Sequence, residues 1–217
     1  VGGKTGVDLA AGKNLVGAFH QPRAVFIDHG FLRTLDDRNL RAGMAEVVKC
    51  AISGDAVLWE KLCAMAARWR GMSGREWHDV IRRTVAFKAS VVEKDERESS
   101  TRRILNLGHT IGHALERAAG YGNLLHGEAV AMGLVWEAIL SRRLGVTPPD
   151  VEERLFSLMK ELGFALDDPA LPLTSIAGAI GMDKKRIVSE VDMPMVAAPG
   201  ACILRRIPLS QLRKELP

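Results

Sequence analysis

The sequence predicts a mainly α, multihelical domain with a few short strands, and three observations carry that prediction. Apolar residues recur at helical spacing along most of the 217 residues. Breakers cluster at a few boundaries, such as Pro148-Pro149 and Pro199-Gly200, and leave long uninterrupted stretches between them. Runs that favour strands are confined to residues 24–28 and to the stretches on either side of Pro199-Gly200.

Residues 1–22 are glycine-rich and polar and read as a loop ending at Pro22. The run AVFID, residues 24–28, reads as a short buried strand. A helix starts near residues 34–37, with Leu40, Met44, Val47, Val48 and Ile52 at helical spacing. Residues 55–69 give a second helix, with Leu58, Leu62 and Met65 on one stripe. Residues 76–96 give a long third one, where Val80, Ile81, Val85, Phe87 and Val91 are apolar and no breaker intervenes. A polar break at residues 99–101 precedes helices over about 106–119, 127–144, 150–162 and 173–181, and residues 183–188 are polar. Residues 191–197 and 201–207 flank Pro199-Gly200 as a β-hairpin, and a short helix over 209–215 closes the chain.

Composition excludes several function classes. The net charge of +4 is modest and spread out, and no basic run is interleaved with aromatic residues. A small anionic substrate therefore explains the charge, and nucleic acid is not expected. Cys50, Cys63 and Cys202 are odd in number and form no CxxC, which suits a reducing, cytoplasmic setting. The longest apolar run, near residues 129–140, is broken by Glu137 and is too short to span a membrane. The chain opens inside a glycine-rich motif, VGGKTG, and a preceding segment is expected.

The candidate chemistry centres on LNLGHTIGHALE, residues 105–116. His109 and His113 are four apart, so on a helix they share a face, and Gly108 and Gly112 leave room beside them. His126 follows in LLHGEAV, and Glu46 lies upstream in GMAEVVK. Imidazoles plus a carboxylate suit a catalytic zinc site, which takes three protein ligands and an open position. The pair alone equally suits histidines packed in a core. Residues 110–112 are Thr, Ile and Gly, which excludes the HExxH zinc peptidases. If metal takes one histidine of the pair, the other is free for acid–base work. Glu46 has apolar neighbours, where a carboxylate is costly unless paired or metal-bound. Lys49, three residues on, offers an ordinary helix pair as the simpler reading.

Two further groups suit anions. Lys4, Lys13 and Asn14 lie in GGKTGVDLAAGKN, where lysines meet accessible backbone N–H groups. GGKT matches the tail of a P-loop, but Gly6 and Gly12 interrupt the helix a P-loop requires. Lys88 emerges from an apolar helix face, and Glu98, Arg102 and Asn106 lie in or just after KDERESSTRR. That run reads as a solvated charge cluster. If residues 102–113 are helical, however, Arg102, Asn106, His109 and His113 form one stripe, well suited to a polyoxygenated anion.

GGKTGVDLAAGKNLVGAFHQP, FLRTL, GMAEVVK, KASVVEKDERES, LNLGHTIGHALE, LLHGEAVAMG and MDKK occur in this order. With these motifs the chain resembles the 3-dehydroquinate synthase family over nearly its whole length. The resemblance is to the C-terminal helical domain plus the inter-domain loop, the family's N-terminal α/β NAD domain being absent. It implies one domain over 1–217, with residues 1–22 as inter-domain active-site loop and 23–217 as helical body with a C-terminal hairpin. It implies zinc or cobalt on Glu46, His109 and His126. It implies substrate contacts from Lys4, Asn14, Lys49, Lys88, Arg102, Asn106 and His113, and from one of Lys184 and Lys185. It implies NAD contacts from Lys4, Lys13, Phe31, Leu32, Arg33 and Thr34. Glu98 and His113 match the family's proton-transfer pair, and Lys49 is placed with them in the catalytic set.

The implied reaction converts 3-deoxy-D-arabino-heptulosonate 7-phosphate to 3-dehydroquinate and phosphate, in the shikimate pathway of aromatic amino acid biosynthesis. The implied partners are the sugar phosphate, the N-terminal NAD-binding domain and a second copy in a homodimer. Without that domain the chain is expected to be inactive alone. Where the family has glycines before Arg102, this chain has Ser99-Ser100, which is expected to stiffen the loop. The sequence after MDKK also departs from the family pattern. Rival readings are another sugar-phosphate cyclase of inosose, valiolone or amino-dehydroquinate type, a non-catalytic helical assembly module, and a P-loop phosphotransferase.

Overall fold

The computed structural model describes residues 3–9, 12–120, 123–166 and 190–215. The predicted helix over 173–181, the polar stretch 183–188, and Lys184 and Lys185 lie outside the described residues.

Helix α1 (Asp37–Gly54) starts where the Asp36 side chain accepts the Asn39 N–H at 2.7 Å. Asp55 follows it and caps α2 (Ala56–Met65) by accepting the Leu58 N–H at 2.9 Å, so one acid serves the turn between two helices. The second predicted helix is shorter than its pattern: past Met65 the chain tightens into a 3-10 turn, Ala66–Gly71, with non-helical backbone at Arg68. Helix α3 (Gly74–Lys94) begins with a reciprocal capping box between Ser73 and Glu76.

A 3-10 turn, Thr101–Asn106, leads to α4 (His109–Ala118), then α5 (His126–Arg143) and α6 (Pro149–Glu161). The helix predicted over about 106–119 is thus α4, starting three residues later, at His109. Gly108, at φ 77°, turns the chain into the left-handed region between the 3-10 turn and α4. Strands β3 (Glu190–Ala198) and β4 (Ala201–Pro208) form the expected antiparallel hairpin, and α7 (Leu209–Glu215) follows.

Helix α5 is buried on almost every face and packs against α1, α4, α6 and β3. Around it lie Met44, Val48, Ile52, Trp59, Leu62, Trp69, Leu134, Leu155 and Met159. A second apolar cluster joins Ile111, Leu115, Met132 and Leu140 to Met193, Met195 and Ile207 of the hairpin. Two polar ties fix the hairpin: the Thr147 hydroxyl donates to the Val196 carbonyl at 2.8 Å, and the Gly200 N–H donates to the Ile52 carbonyl at 2.9 Å.

The N-terminal expectations are corrected. Most of the described part of residues 1–22 is strand, not loop: β1 (Lys4–Leu9) and β2 (Gly12–Phe19) pair antiparallel, with Gly6 opposite Gly17. Two of the glycines that suggested a loop, Gly6 and Gly17, are a cross-strand pair, and the ladder bonds are made by backbone whatever the side chain. The strand after GGKT also removes the P-loop reading, which needs a helix there. Residues 24–28 are not a buried strand. They form no strand and are exposed, with Phe26 95% accessible, and β1 and β2 pair only with each other among the described residues. Among the described residues no helix is long and apolar enough to cross a membrane.

The crossing of α4 and α5 makes a specific claim. A Cβ at Gly133 would lie 2.0 Å from the Gly108 carbonyl oxygen and 2.8 Å from the Gly112 nitrogen, both backbone atoms. Gly133→Ala is expected to lower stability by about 1–3 kcal/mol through overpacking, read as a lower urea midpoint. A midpoint equal to wild type would show that the helices are not in close contact there.

Candidate functional site

Three helices bring the candidate ligands together. Helix α1 carries Glu46 and Lys49, α4 carries His109 and His113, and α5 starts at His126. The approach of α1 to α5 is closest at Gly127, where a Cβ would lie 2.0 Å from the Ala42 carbonyl oxygen. Ala42 is one helical turn before Glu46, and Gly127 directly follows His126. The approach of α4 to α5 runs along Gly108, Gly112 and Gly133, with a Cβ at Gly112 falling 3.1 Å from the Ala129 carbonyl oxygen. Small residues at these crossings are what lets the three side chains converge.

Glu46 Oε1 lies 3.5 Å from His109 Nε2 and 3.8 Å from His126 Nε2. It is buried and, among the described residues, accepts no hydrogen bond. Its other oxygen takes the Lys49 ammonium at 2.7 Å. The simple helix pair expected for Glu46 and Lys49 therefore exists, and it leaves one carboxylate oxygen aimed at two imidazole nitrogens. Ligand nitrogens of His109, His113 and His126 lie within 4.8 Å of one another. The ring centroids are 5.3 Å apart for His109 and His113, 5.1 Å for His109 and His126, and 5.8 Å for His113 and His126.

Protonation favours a cation in that space. Burial and the nearby Lys49 ammonium push the His109 imidazole down to about 3, so the ring is neutral at pH 7. His109 Nδ1 lies 3.1 Å from the Leu107 carbonyl, to which a neutral ring donates its N–H, leaving a lone pair on Nε2. Burial pushes the Glu46 carboxyl up, and Lys49 leads the charges that more than offset this, keeping it below the ordinary range. An ionised oxygen without a donor and a neutral nitrogen with a free lone pair fit a divalent ion of borderline softness.

The arginine and amide do not lie on the predicted stripe. Residues 102–113 are not one helix, so Arg102 and Asn106 sit on the 3-10 turn Thr101–Asn106, which packs against α1, α3 and β3. Arg102 is buried and donates from Nη1 to the Glu96 carbonyl at 2.6 Å. Asn106 donates to Glu98 Oε1 at 2.7 Å, and Glu98 holds a left-handed backbone at φ 60°. Lys88 is half-buried on α3, and its charge, like those of Lys49 and Glu46, reaches the Cys50 thiol. Lys4 begins β1, and Lys13 and Asn14 lie in β2. Phe31 to Thr34 form most of the 3-10 turn His29–Thr34, capped by Asp28 on the Gly30 N–H, with Phe31 exposed.

Three acids escaped the sequence reading. Asp95 lies in what read as a solvated run, yet it is buried and accepts from the N–H groups of Ser99, Ser100 and Arg102 and both serine hydroxyls. Ser99 and Ser100, which stand where glycines were expected, thus each contribute an N–H and a hydroxyl to Asp95. Glu137, 1% exposed, accepts the Gly108 and Ile111 N–H groups at 2.7 and 3.1 Å. It caps α4 from another helix, where Gly108 has no side chain to do so. Burial pushes its carboxyl up to about 8 against the pull of these donors. The third is Glu116, whose Oε1 lies 3.4 Å from His126 Nδ1. A lone acid inside an apolar run was the only signal for Glu137. For Glu116 it was the spacing of seven residues from His109.

The family model described as 3-dehydroquinate synthase C-terminal matches residues 43–186, and the one described as 3-dehydroquinate synthase N-terminal matches residues 1–42. A 3-dehydroquinate synthase of Synechococcus sp. (strain CC9605) is 45% identical over 187 residues, 85% of this chain and 50% of the relative. The chain spans about half the length of the curated relatives it matches. Among solved structures, the 2-epi-5-epi-valiolone synthase ValA from Streptomyces hygroscopicus subsp. jinggangensis 5008, with NAD+ and Zn2+ bound, matches with TM-score 0.86. It is 29% identical, covering 100% of this chain and 61% of that one. A 2-deoxy-scyllo-inosose synthase complexed with carbaglucose-6-phosphate, NAD+ and Co2+ matches with TM-score 0.83 and 28% identity, covering 99% and 61%.

The Asp95 loop makes its own claim about pH. The donors from Arg102, Ser99 and Ser100 hold the Asp95 carboxyl well below the usual carboxylate range. A depressed folded-state value stabilises the fold above the unfolded value, near about 4, and that contribution is lost as pH falls through the folded value. Asp95→Asn is expected to unfold at lower temperature than wild type at pH 7, with the gap narrowing below about pH 4. A gap that stays constant into acid would show that the ionised carboxylate is not what holds the loop.

Proposed function

Because the chain belongs to the 3-dehydroquinate synthase family, we propose that it supplies the metal- and substrate-binding half of a cyclase. The enzyme turns 3-deoxy-D-arabino-heptulosonate 7-phosphate into 3-dehydroquinate and phosphate. One observation carries this reading: a buried Glu46 oxygen without a hydrogen-bond donor, facing His109 Nε2 and His126 Nε2. Glu46, His109 and His126 are the proposed ligands of zinc or cobalt. A bound divalent ion supplies Lewis acidity to neighbouring hydroxyls of the sugar. NAD would be held by an N-terminal domain with help from Lys4, Lys13 and Phe31 to Thr34, and would supply hydride-transfer chemistry.

The chain's own residues bind and orient the substrate. Lys49, Lys88, Arg102 and Asn106 are proposed to clamp its carboxylate and phosphate, as are Lys4, Asn14 and one of Lys184 and Lys185. Arg102 and Asn106 are pre-positioned for this, since Glu96 and Glu98 already hold their side chains. His113 stands beside the ligand pair and is proposed to exchange protons with the substrate, with Glu98 as its counterpart. A homodimer and a cytoplasmic setting complete the proposal.

The likeness to valiolone and inosose synthases favours one alternative, a different sugar-phosphate cyclase. Identity of 45% to a 3-dehydroquinate synthase and the cationic set Lys88, Arg102 and Asn106, suited to a carboxylate-bearing substrate, favour the main reading.

Metal content is the first check. Wild type is expected to bind about one zinc per chain, and Glu46→Ala, His109→Ala and His126→Ala each to lose it. Folded wild type without zinc would sink the ligand assignment. For the reaction, phosphate release should be absent from the chain with NAD alone. It should appear when an N-terminal NAD-binding domain of a relative is added, and fall by about 10²-fold or more in Arg102→Ala. Release from an inosose or valiolone precursor instead would replace the substrate assignment.

A further inference from the structure

His109 and His126 present the same nitrogen to Glu46, but they are held from behind by different groups. The Nδ1 of His109 meets a backbone carbonyl, that of Leu107. The Nδ1 of His126 meets a carboxylate, Glu116 Oε1, at 3.4 Å. The His126 side chain is 43% exposed, so its ring orientation depends on such contacts more than on packing. The Glu116 side chain is 5% exposed and belongs to the face of α4 that packs on α5. A carboxylate taken out of water is costly unless an N–H donor or a cation meets it. His109, His113 and Glu116 lie at positions i, i+4 and i+7, so one face of α4 carries all three.

We infer that Glu116 is a positioning residue for the metal centre, and the inference rests on the metal reading above. Its carboxylate accepts the Nδ1–H of His126. That fixes the tautomer whose Nε2 lone pair points to the space shared with Glu46 and His109. It also places a negative charge behind His126, which makes the ring a stronger donor to a cation. Helix α4 therefore contributes twice: His109 as a ligand at its first residue, and support for the His126 ligand two turns later. A bystander acid would affect the stability of α4 without touching either the His126 tautomer or the affinity for metal.

The test compares wild type, Glu116→Ala and Glu116→Gln in the 217-residue chain. Zinc affinity is read by competition with a chromogenic chelator. The His126 tautomer is read in metal-free protein by long-range proton–nitrogen NMR, its signals identified by their loss in His126→Asn. Wild type is expected to show the Nδ1–H tautomer. Glu116→Ala should lose it and bind zinc about 10–100-fold more weakly, with the His109 signals unchanged. Glu116→Gln retains an accepting oxygen without the charge, so it should keep the tautomer and lose less affinity. If wild type binds zinc and Glu116→Ala matches it in affinity and tautomer, this inference falls and the metal reading stands. If wild type binds no zinc, the metal reading falls and takes this inference with it.

Discussion

Contact between helix backbones at glycine is the constraint on which the rest of this structure depends. Helix α5 meets α1 at Gly127 and α4 at Gly108, Gly112 and Gly133, at separations that leave no volume for a β-carbon at Gly127 and Gly133 and little at Gly112. Helices that touch through larger side chains are typically 8–10 Å apart between axes. Here the approach is tight enough that side chains beside a crossing, or one turn from it, face one another. Glu46, His109 and His126 occupy those places. The apolar core around Trp59, Trp69 and Met159 stabilises the bundle, but the crossings decide which polar groups meet.

Acids drawn out of water are the second organising element, and each is met by different groups. Asp95 is surrounded by N–H and hydroxyl donors of its own loop. Glu137 takes the open N–H groups of another helix's first turn. Glu116 faces an imidazole. Glu46 divides its two oxygens, one on Lys49 and one toward the histidines. The first two are complete within the protein and hold the backbone that carries Arg102 and His109. Glu46 is different because half of its capacity is directed into a polar space. That difference separates an acid that builds a site from one that belongs to it.

Periodicity made the long helices legible, because α1, α3, α5 and α6 each bury a continuous stripe or a whole surface. It also set His109 and His113 on one face. The motif order carried the convergence of Glu46 and His126, which no local spacing encodes. What escaped was set by tertiary contacts. The break at Gly108 looks like an ordinary glycine until Leu134 and Gly133 press on it. Asp95 looks solvated until its loop folds over it. Glu137 looks like an interruption of an apolar run until α4 begins against it. The β1–β2 hairpin was hidden because its glycines lie opposite each other and mimic a loop.

The exposed stretch after that hairpin bears on how the chain behaves as a solute. Val25, Phe26, Ile27 and Phe31 present apolar side chains to water close together in sequence. Salts excluded from protein surfaces raise the cost of such exposure, so this chain is disposed to salt out at low sulfate concentration. Its solubility will fall with ionic strength for kosmotropic salts even where its net charge of +4 alone would favour dispersal.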